Sequence, residues 1–415
     1  MELKQTIVKV AILAVVIAAM YMVSVSYVEH DPNELDFDNM YINVENGAEI
    51  VSKDIDYNCV ISIDGEYYEL DETPATIKGR GNSTWNEPKK PYSIKFDTKV
   101  GLYGLEASKK WVLLANYKDK SFARNALAFK VADALGCEFT PDCKFVNLYL
   151  NGVYAGVYQI SEKIEVAKGR VDIDDSTKKE DFGFLVELDS HAADDGEKDV
   201  DYFEMGGKLY TIEDPSCNAE QATHVKSVMQ TAWDAIHSGS WSELEKYVDA
   251  DSFARTYVLQ ELFGNADVDY SSFYLYRDAG DRLCSGPVWD FDLCAGNHDT
   301  FDRVLTDRLF VAENSVWYSE LLKYSEFVDK VTDIIRDNSN NIKKVISQER
   351  YYVFYLHMGE FEDDQAKWRS INKNVYSTPF QYMVLTQWIY HLDYTTDWLF
   401  DKLDYMYKYY VKGKR

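Results

Sequence analysis

The stretch FVNLYLNGVYAGVYQI, residues 145–160, decides the class of the fold. Apolar and aromatic residues dominate Phe145–Leu150 and Val153–Ile160, and Asn151-Gly152 between them is among the strongest short hairpin signals. Toward the N-terminus, Lys120–Leu135 has helical periodicity, with Asp119 as a start signal and Gly136 as a stop. Before it, Lys109–Asn116 is an apolar run, and Tyr92–Phe96 and Ala75–Lys78 read as strands. Asn58–Asp64 and Tyr67–Leu70 flank Gly65 as a further hairpin, and strand character begins at Tyr41. Toward the C-terminus, Phe182–Leu188 is a strand and charged loops run from Asp189 to Asp201. Ala219–Phe263 reads mostly helical, Phe273–Tyr276 and Leu283–Trp289 as strands, and Val316 onward as helical and tyrosine-rich. A strand-rich half followed by a helical half predicts an α+β protein, with a cleft between the halves as the default site.

Composition narrows the partners. Acids outnumber bases by 70 to 44, a formal charge of −26, and a field of that sign repels nucleic acid. Any nucleotide must therefore arrive with divalent metal and meet local basic residues. The first residues, MELKQTIVKVAILAVVIAAMYMVSVSYVEHD, place Lys4 and Lys9 before or at the start of an apolar run from about Ala11 to Val28. That run approaches the ~20 residues of a spanning helix. Residues 1–30 are expected to be a signal anchor or signal peptide that sends the remainder outward, and 31–40 a linker. The expected localisation is membrane-anchored or secreted, extracytoplasmic. Six cysteines are compatible with disulfides there, Cys137 and Cys143 being near in sequence, but no spacing among them suggests zinc.

Three constellations could carry chemistry. In Ile77-Lys-Gly-Arg-Gly-Asn-Ser-Thr-Trp85, glycines beside Arg80 let backbone amides approach an anion, while Lys89, Lys90 and Lys95 concentrate positive charge. A tight turn with solvated lysines is the plain alternative. Asn265-Ala-Asp-Val-Asp-Tyr-Ser-Ser272 tethers Asp267 and Asp269 in a short loop, where a carboxylate can take the proton of an attacking hydroxyl. Turn chemistry alone also favours Asp there. Val288-Trp-Asp-Phe-Asp-Leu293 sets Asp290 and Asp292 among large apolar residues. Carboxylates buried in this way need a compensating cation or base, and hard oxygens suit Mg2+ or Mn2+.

At these residues the sequence resembles the CotH family, named for a spore-coat protein H and regarded as atypical, secretory-pathway-type protein kinases. The carriers are GRGNSTWNEPKKPYSIKF (79–96), KKWVLLANYKDKSFARNALAFKVADALG (109–136), VNLYLNGVYAGVYQISEKI (146–164), GFLVELD (183–189) and NADVDYSSFYLYRD…GPVWDFDLCAGN (265–297). The resemblance covers roughly residues 55–300 and implies an atypical protein-kinase-like bilobal fold, with a strand-rich N-lobe (41–165) and a mainly helical C-lobe (166–415). It implies ATP with Mg2+ or Mn2+, and phosphate transfer to Ser/Thr of secreted or envelope proteins. Lys95 is then similar to the strand lysine that pairs with phosphates, Arg80 lies in the glycine-rich turn, and Glu162 closes the inter-lobe hinge. Asp267 is the catalytic-loop aspartate, with Asp269 second, and Asp290 binds metal with Asp292 beside it. Ser272 departs from the pattern, standing where protein kinases commonly place a metal-binding Asn. No glutamate partner for Lys95 is evident.

Two other readings remain open at this stage. One is a catalytically inactive CotH-like scaffold of the cell envelope. The other is a metal-dependent glycosyltransferase using Asp290-Phe-Asp292 as its D-x-D, although the Gly-Arg-Gly and Lys95 region gives that reading no support.

Overall fold

The computed structural model describes residues 36–298, 300–372 and 387–413. Phe37–Arg415 form a single compact unit. Seven strands open the described chain: β1 (Asn39–Val44), β2 (Tyr57–Asp64), β3 (Leu70–Gly79), β4 (Tyr92–Val100), β5 (Ser108–Leu114), β6 (Cys143–Leu150) and β7 (Val153–Glu162). They pair in the order β1-β2-β3-β4-β5-β7-β6, and a parallel β1–β6 pairing closes them into a barrel. Alternation along the strands fills the interior with Met40, Ile42, Ile61, Ile77, Ile94 and Phe96, all essentially inaccessible. The Asn151-Gly152 turn has both residues at positive φ, 49° and 76°, the geometry that matches strand twist in a two-residue hairpin.

Helix α1 (Arg124–Leu135) lies between β5 and β6 in sequence and ends at Gly136, whose φ of 71° supplies the left-handed cap. Nine of the 12 residues of α1 are buried, so it is a core helix rather than a surface one. It packs on α4 (Ala250–Phe263) and α5 (Ser325–Glu349). A second sheet contains β8 (Phe184–Leu188), β9 (Tyr202–Met205), β10 (Lys208–Asp214), β11 (Phe273–Arg277) and β12 (Cys284–Ser285), in the order β12-β11-β8-β10-β9. The other helices include α2 (Ala219–Ile236), α3 (Trp241–Tyr247), α6 (Met358–Trp368) and α7 (Trp388–Met406).

Helix α6 reaches back to the barrel. Asp364 accepts a hydrogen bond from Lys89 Nζ (2.6 Å) and another from Val157 N (2.9 Å), while Lys89 also donates to Val157 O. A Cβ at residue 156 would lie 2.2 Å from Asp364 Oδ1, so glycine there is what lets the carboxylate approach β7.

This architecture corrects the expected bilobal, kinase-like fold with its strand-rich N-lobe and helical C-lobe. The first strands close into a barrel instead, and five further strands form a second sheet within the stretch expected to be mainly helical. Local pattern reveals hairpins, but the closing contact joins Asn39 to Asn147, which no local pattern encodes. The expected span from Ala11 to Val28 lies outside the described residues. Among the described residues no helix is long and apolar enough to cross a membrane. All six cysteines, whose number is compatible with disulfides, are free thiols.

Candidate active site

One end of the barrel meets the second sheet in a cleft of about 320 Å³. The β3–β4 loop, the end of β5, the start of α1, the end of β8 and the loops around β11 all contribute to it. The Gly-Arg-Gly turn is tight because Gly81, at φ 81°, has no room for a Cβ, which would come within 2.2 Å of the Thr84 hydroxyl. Arg80 lines the cleft with its guanidinium carbon 5.7 Å from the centroid of the Trp289 ring, a cation–π distance. Burial pushes its pKa down, and the negative charge of Asp290 opposes that.

The aspartates converge. Asp267, Asp290 and Asp292 all line this cleft although they come from two different loops. Burial and the charge of Asp290 push Asp267 up to about 6, with Arg303 and Lys118 pulling the other way. Burial raises Asp290 and the positive charge of Arg80 lowers it; Asp292 is raised further, by burial and by repulsion from Asp290 and Asp267. The Asp290 and Asp292 carboxyls also lie within hydrogen-bonding reach of each other. Carboxylates placed this close cannot all ionise without a cation.

The carboxylate loop is held from several sides. Phe291 N donates to Asn125 Oδ1 (2.7 Å), and Arg124 Nε donates to Cys294 O (2.7 Å). Asn297 Nδ2 donates to Asp292 O (2.6 Å) and to Lys118 O (3.1 Å). Asp119, the residue read as a helix start, accepts from Arg124 N (2.9 Å) and so anchors the first turn of α1.

The remaining expected site residues sit elsewhere. Lys95 is exposed on the outside of β4, because neighbouring Ile94 and Phe96 point into the barrel. It is not among the cleft-lining residues. Asp269 also lies outside that lining and is neutralised by Lys208 Nζ at 2.5 Å. Glu162 ends β7, where it accepts from Asp142 N (3.0 Å) and stands 4.0 Å from Arg170, on a separate small hollow. The cations that do line the cleft are Arg80, Lys118 and Lys89. Lys118 Nζ donates to Ser83 Oγ (2.8 Å) and is 3.8 Å from Glu87, so it is tied to the β3–β4 loop, from where its charge pulls the aspartates' pKa values down. Sequence reasoning assigned no role to Lys118 or to Glu187, which also lines the cleft, although both lie in stretches that carry the resemblance. The alternation of Ile94 and Phe96 about Lys95 was the available signal that this lysine faces outward.

Asp290 and Asp292 can offer two hard oxygen ligands. Among the described residues no group of three or more His, Cys, Asp or Glu side chains could hold a metal ion.

No curated protein matches the chain. The family model described as CotH kinase protein matches residues 77–406, beginning in β3 and reaching the end of α7, beyond the 55–300 span carried by the sequence motifs. The chain belongs to the CotH kinase family.

Proposed function

We propose that this chain transfers the terminal phosphoryl group of ATP to Ser or Thr hydroxyls of secreted or envelope proteins, with Mg2+ or Mn2+ bound at Asp290 and Asp292. The observation that carries this reading is the convergence of Asp267, Asp290 and Asp292 beside Arg80 and Lys118 in one cleft. A divalent ion relieves the repulsion among the carboxylates and, when bound, draws charge from the phosphoryl oxygens. Arg80 and Lys118 supply positive charge for the phosphates in the place expected of Lys95. Asp267 receives the acceptor hydroxyl's proton as that oxygen bonds to phosphorus, the bond to the bridging oxygen breaks, and ADP leaves. With its pKa at about 6, Asp267 is mostly ionised at neutral pH yet basic enough to take that proton.

The test is incubation of the protein with labelled ATP and Mn2+, beside Asp290→Asn. Metal-dependent labelling of the protein or a generic acceptor, lost in the variant, is the expected result. Metal-dependent ATP binding without transfer would replace this reading with a scaffold. Undiminished nucleotide affinity in Asp290→Asn would remove the assigned metal role.

A further inference from the structure

Ser272 stands where the kinase pattern has a metal-binding amide, and its surroundings give it a different task. Its φ is 58°, a left-handed conformation that a residue with a Cβ seldom adopts. A carboxylate from the neighbouring strand holds it there: Ser272 N donates to Glu187 Oε1 at 2.9 Å. Glu187 itself is fixed by its position on β8, directly opposite Tyr274 on β11, whose hydroxyl lies within hydrogen-bonding reach of its carboxyl. The Ser272 side chain lies within hydrogen-bonding reach of Asp290, which lines the same cleft and is also left-handed, at φ 63°. On its other side Asp290 is followed by Phe291, whose N–H is held by Asn125. Asp290 thus sits between two clamps, one from α1 and one from the second sheet, and Glu187 is the origin of the second.

We infer that Glu187 is a positioning residue for Asp290, acting through Ser272. Its carboxyl fixes the Ser272 backbone, which aims the hydroxyl at Asp290 and orients that carboxylate before a cation arrives. Partners that orient a metal-binding carboxylate govern metal affinity nearly as strongly as the ligands themselves. The inference rests on the metal role proposed for Asp290, and it makes Ser272 an orienting group where the family pattern suggested a missing ligand.

The test is Mn2+ titration by electron paramagnetic resonance on the nucleotide-free protein. Wild type is compared with Glu187→Ala, Glu187→Gln, Ser272→Ala, the Glu187→Ala/Ser272→Ala double variant and Asp290→Asn. Glu187→Ala and Ser272→Ala should each weaken Mn2+ binding by about 10-fold or more, the range for residues that orient a ligand. Because both act through one hydrogen-bonded chain, the double variant should bind no worse than the weaker single one. Glu187→Gln keeps an acceptor for Ser272 N and should restore most of the affinity, which a merely structural account of lost charge does not predict. It also guards against misfolding of the alanine variant. Full Mn2+ affinity in Glu187→Ala with loss in Asp290→Asn would overturn the inference and leave the metal role standing. Multiplying losses in the double variant would also overturn it. Wild-type protein that binds no Mn2+ would remove the metal role, and this inference with it.

Discussion

Two buried ionic regions of this molecule are built in opposite ways. Where α6 meets the barrel, one ammonium and one carboxylate lie fully inside, Lys89 and Asp364, and their mutual contacts and Val157 satisfy both. In the cleft, burial of Asp267, Asp290 and Asp292, joined by the charge of Asp290 acting on the other two, outweighs the nearby cations, so all three are pushed toward protonation. Complete pairing marks a joint that holds elements together, whereas incomplete pairing marks a place prepared for an outside charge. Asp267 and Asp269 repeat the lesson two residues apart. Asp269 is matched by Lys208 and supports Val316 N (3.3 Å), while Asp267 faces the cleft.

The comparison breaks most visibly at the joint. Lys89→Met strands the Asp364 carboxylate in an apolar interior and should cost about 3–5 kcal/mol in denaturant unfolding. Adding Asp364→Leu should recover most of that loss. If Lys89→Met were neutral, the joint would not be a paired one.

In the cleft the sign reverses. The folded-state pKa of Asp267, about 6, lies above its ordinary 3.8, so its favourable contribution is complete below pH 3.8 and is lost as pH rises through about 6. Asp267→Asn should therefore stabilise the metal-free protein at pH 7.5 by about 1–2 kcal/mol, allowing for solvent screening of a half-buried group. That gain should vanish below pH 3.8, as thermal melts across the pH range can measure. A gain independent of pH would mean that the cost of ionising the buried Asp267 is not its source.

The smallest expected effect belongs to Lys95. Lys95→Ala should leave Mn2+-ATP binding and transfer unchanged, since the side chain is exposed on the outer wall of the barrel. A tenfold loss of ATP affinity would return that wall to the site and undo the assignment of Arg80 and Lys118.

Much of the local structure is legible because it depends on short-range chemistry. Asn151-Gly152 forces the β6–β7 turn and Gly136 ends α1, each through a positive φ that the residue type accommodates. The strands at Tyr202–Met205 and Lys208–Asp214 are hard to read locally because they follow a charged stretch, and only the pairing of Lys208–Asp214 with β8 ties them to the sheet. The β12 strand is only two residues long, since Gly286-Pro287 ends the pairing early within the expected Leu283–Trp289 run. In the site, aspartates embedded among apolar residues were readable as costly burial, but which lysine accompanies them was not. Lys95 and Lys118 both lie in carriers of the resemblance, and only the inward turn of the chain after β5 brings Lys118 to the cleft.

By itself the sequence determined the hairpins, the central helix, the family and four candidate aspartates, because each is written in neighbouring residues or a short motif. Tertiary structure alone decided that β1 pairs with β6 and closes the barrel, and that Asp267 meets Asp290 while Asp269 meets Lys208. Those outcomes depend on contacts between residues far apart in the chain. Which face of a strand or loop is buried there depends on what packs against it, and local propensity carries no record of that.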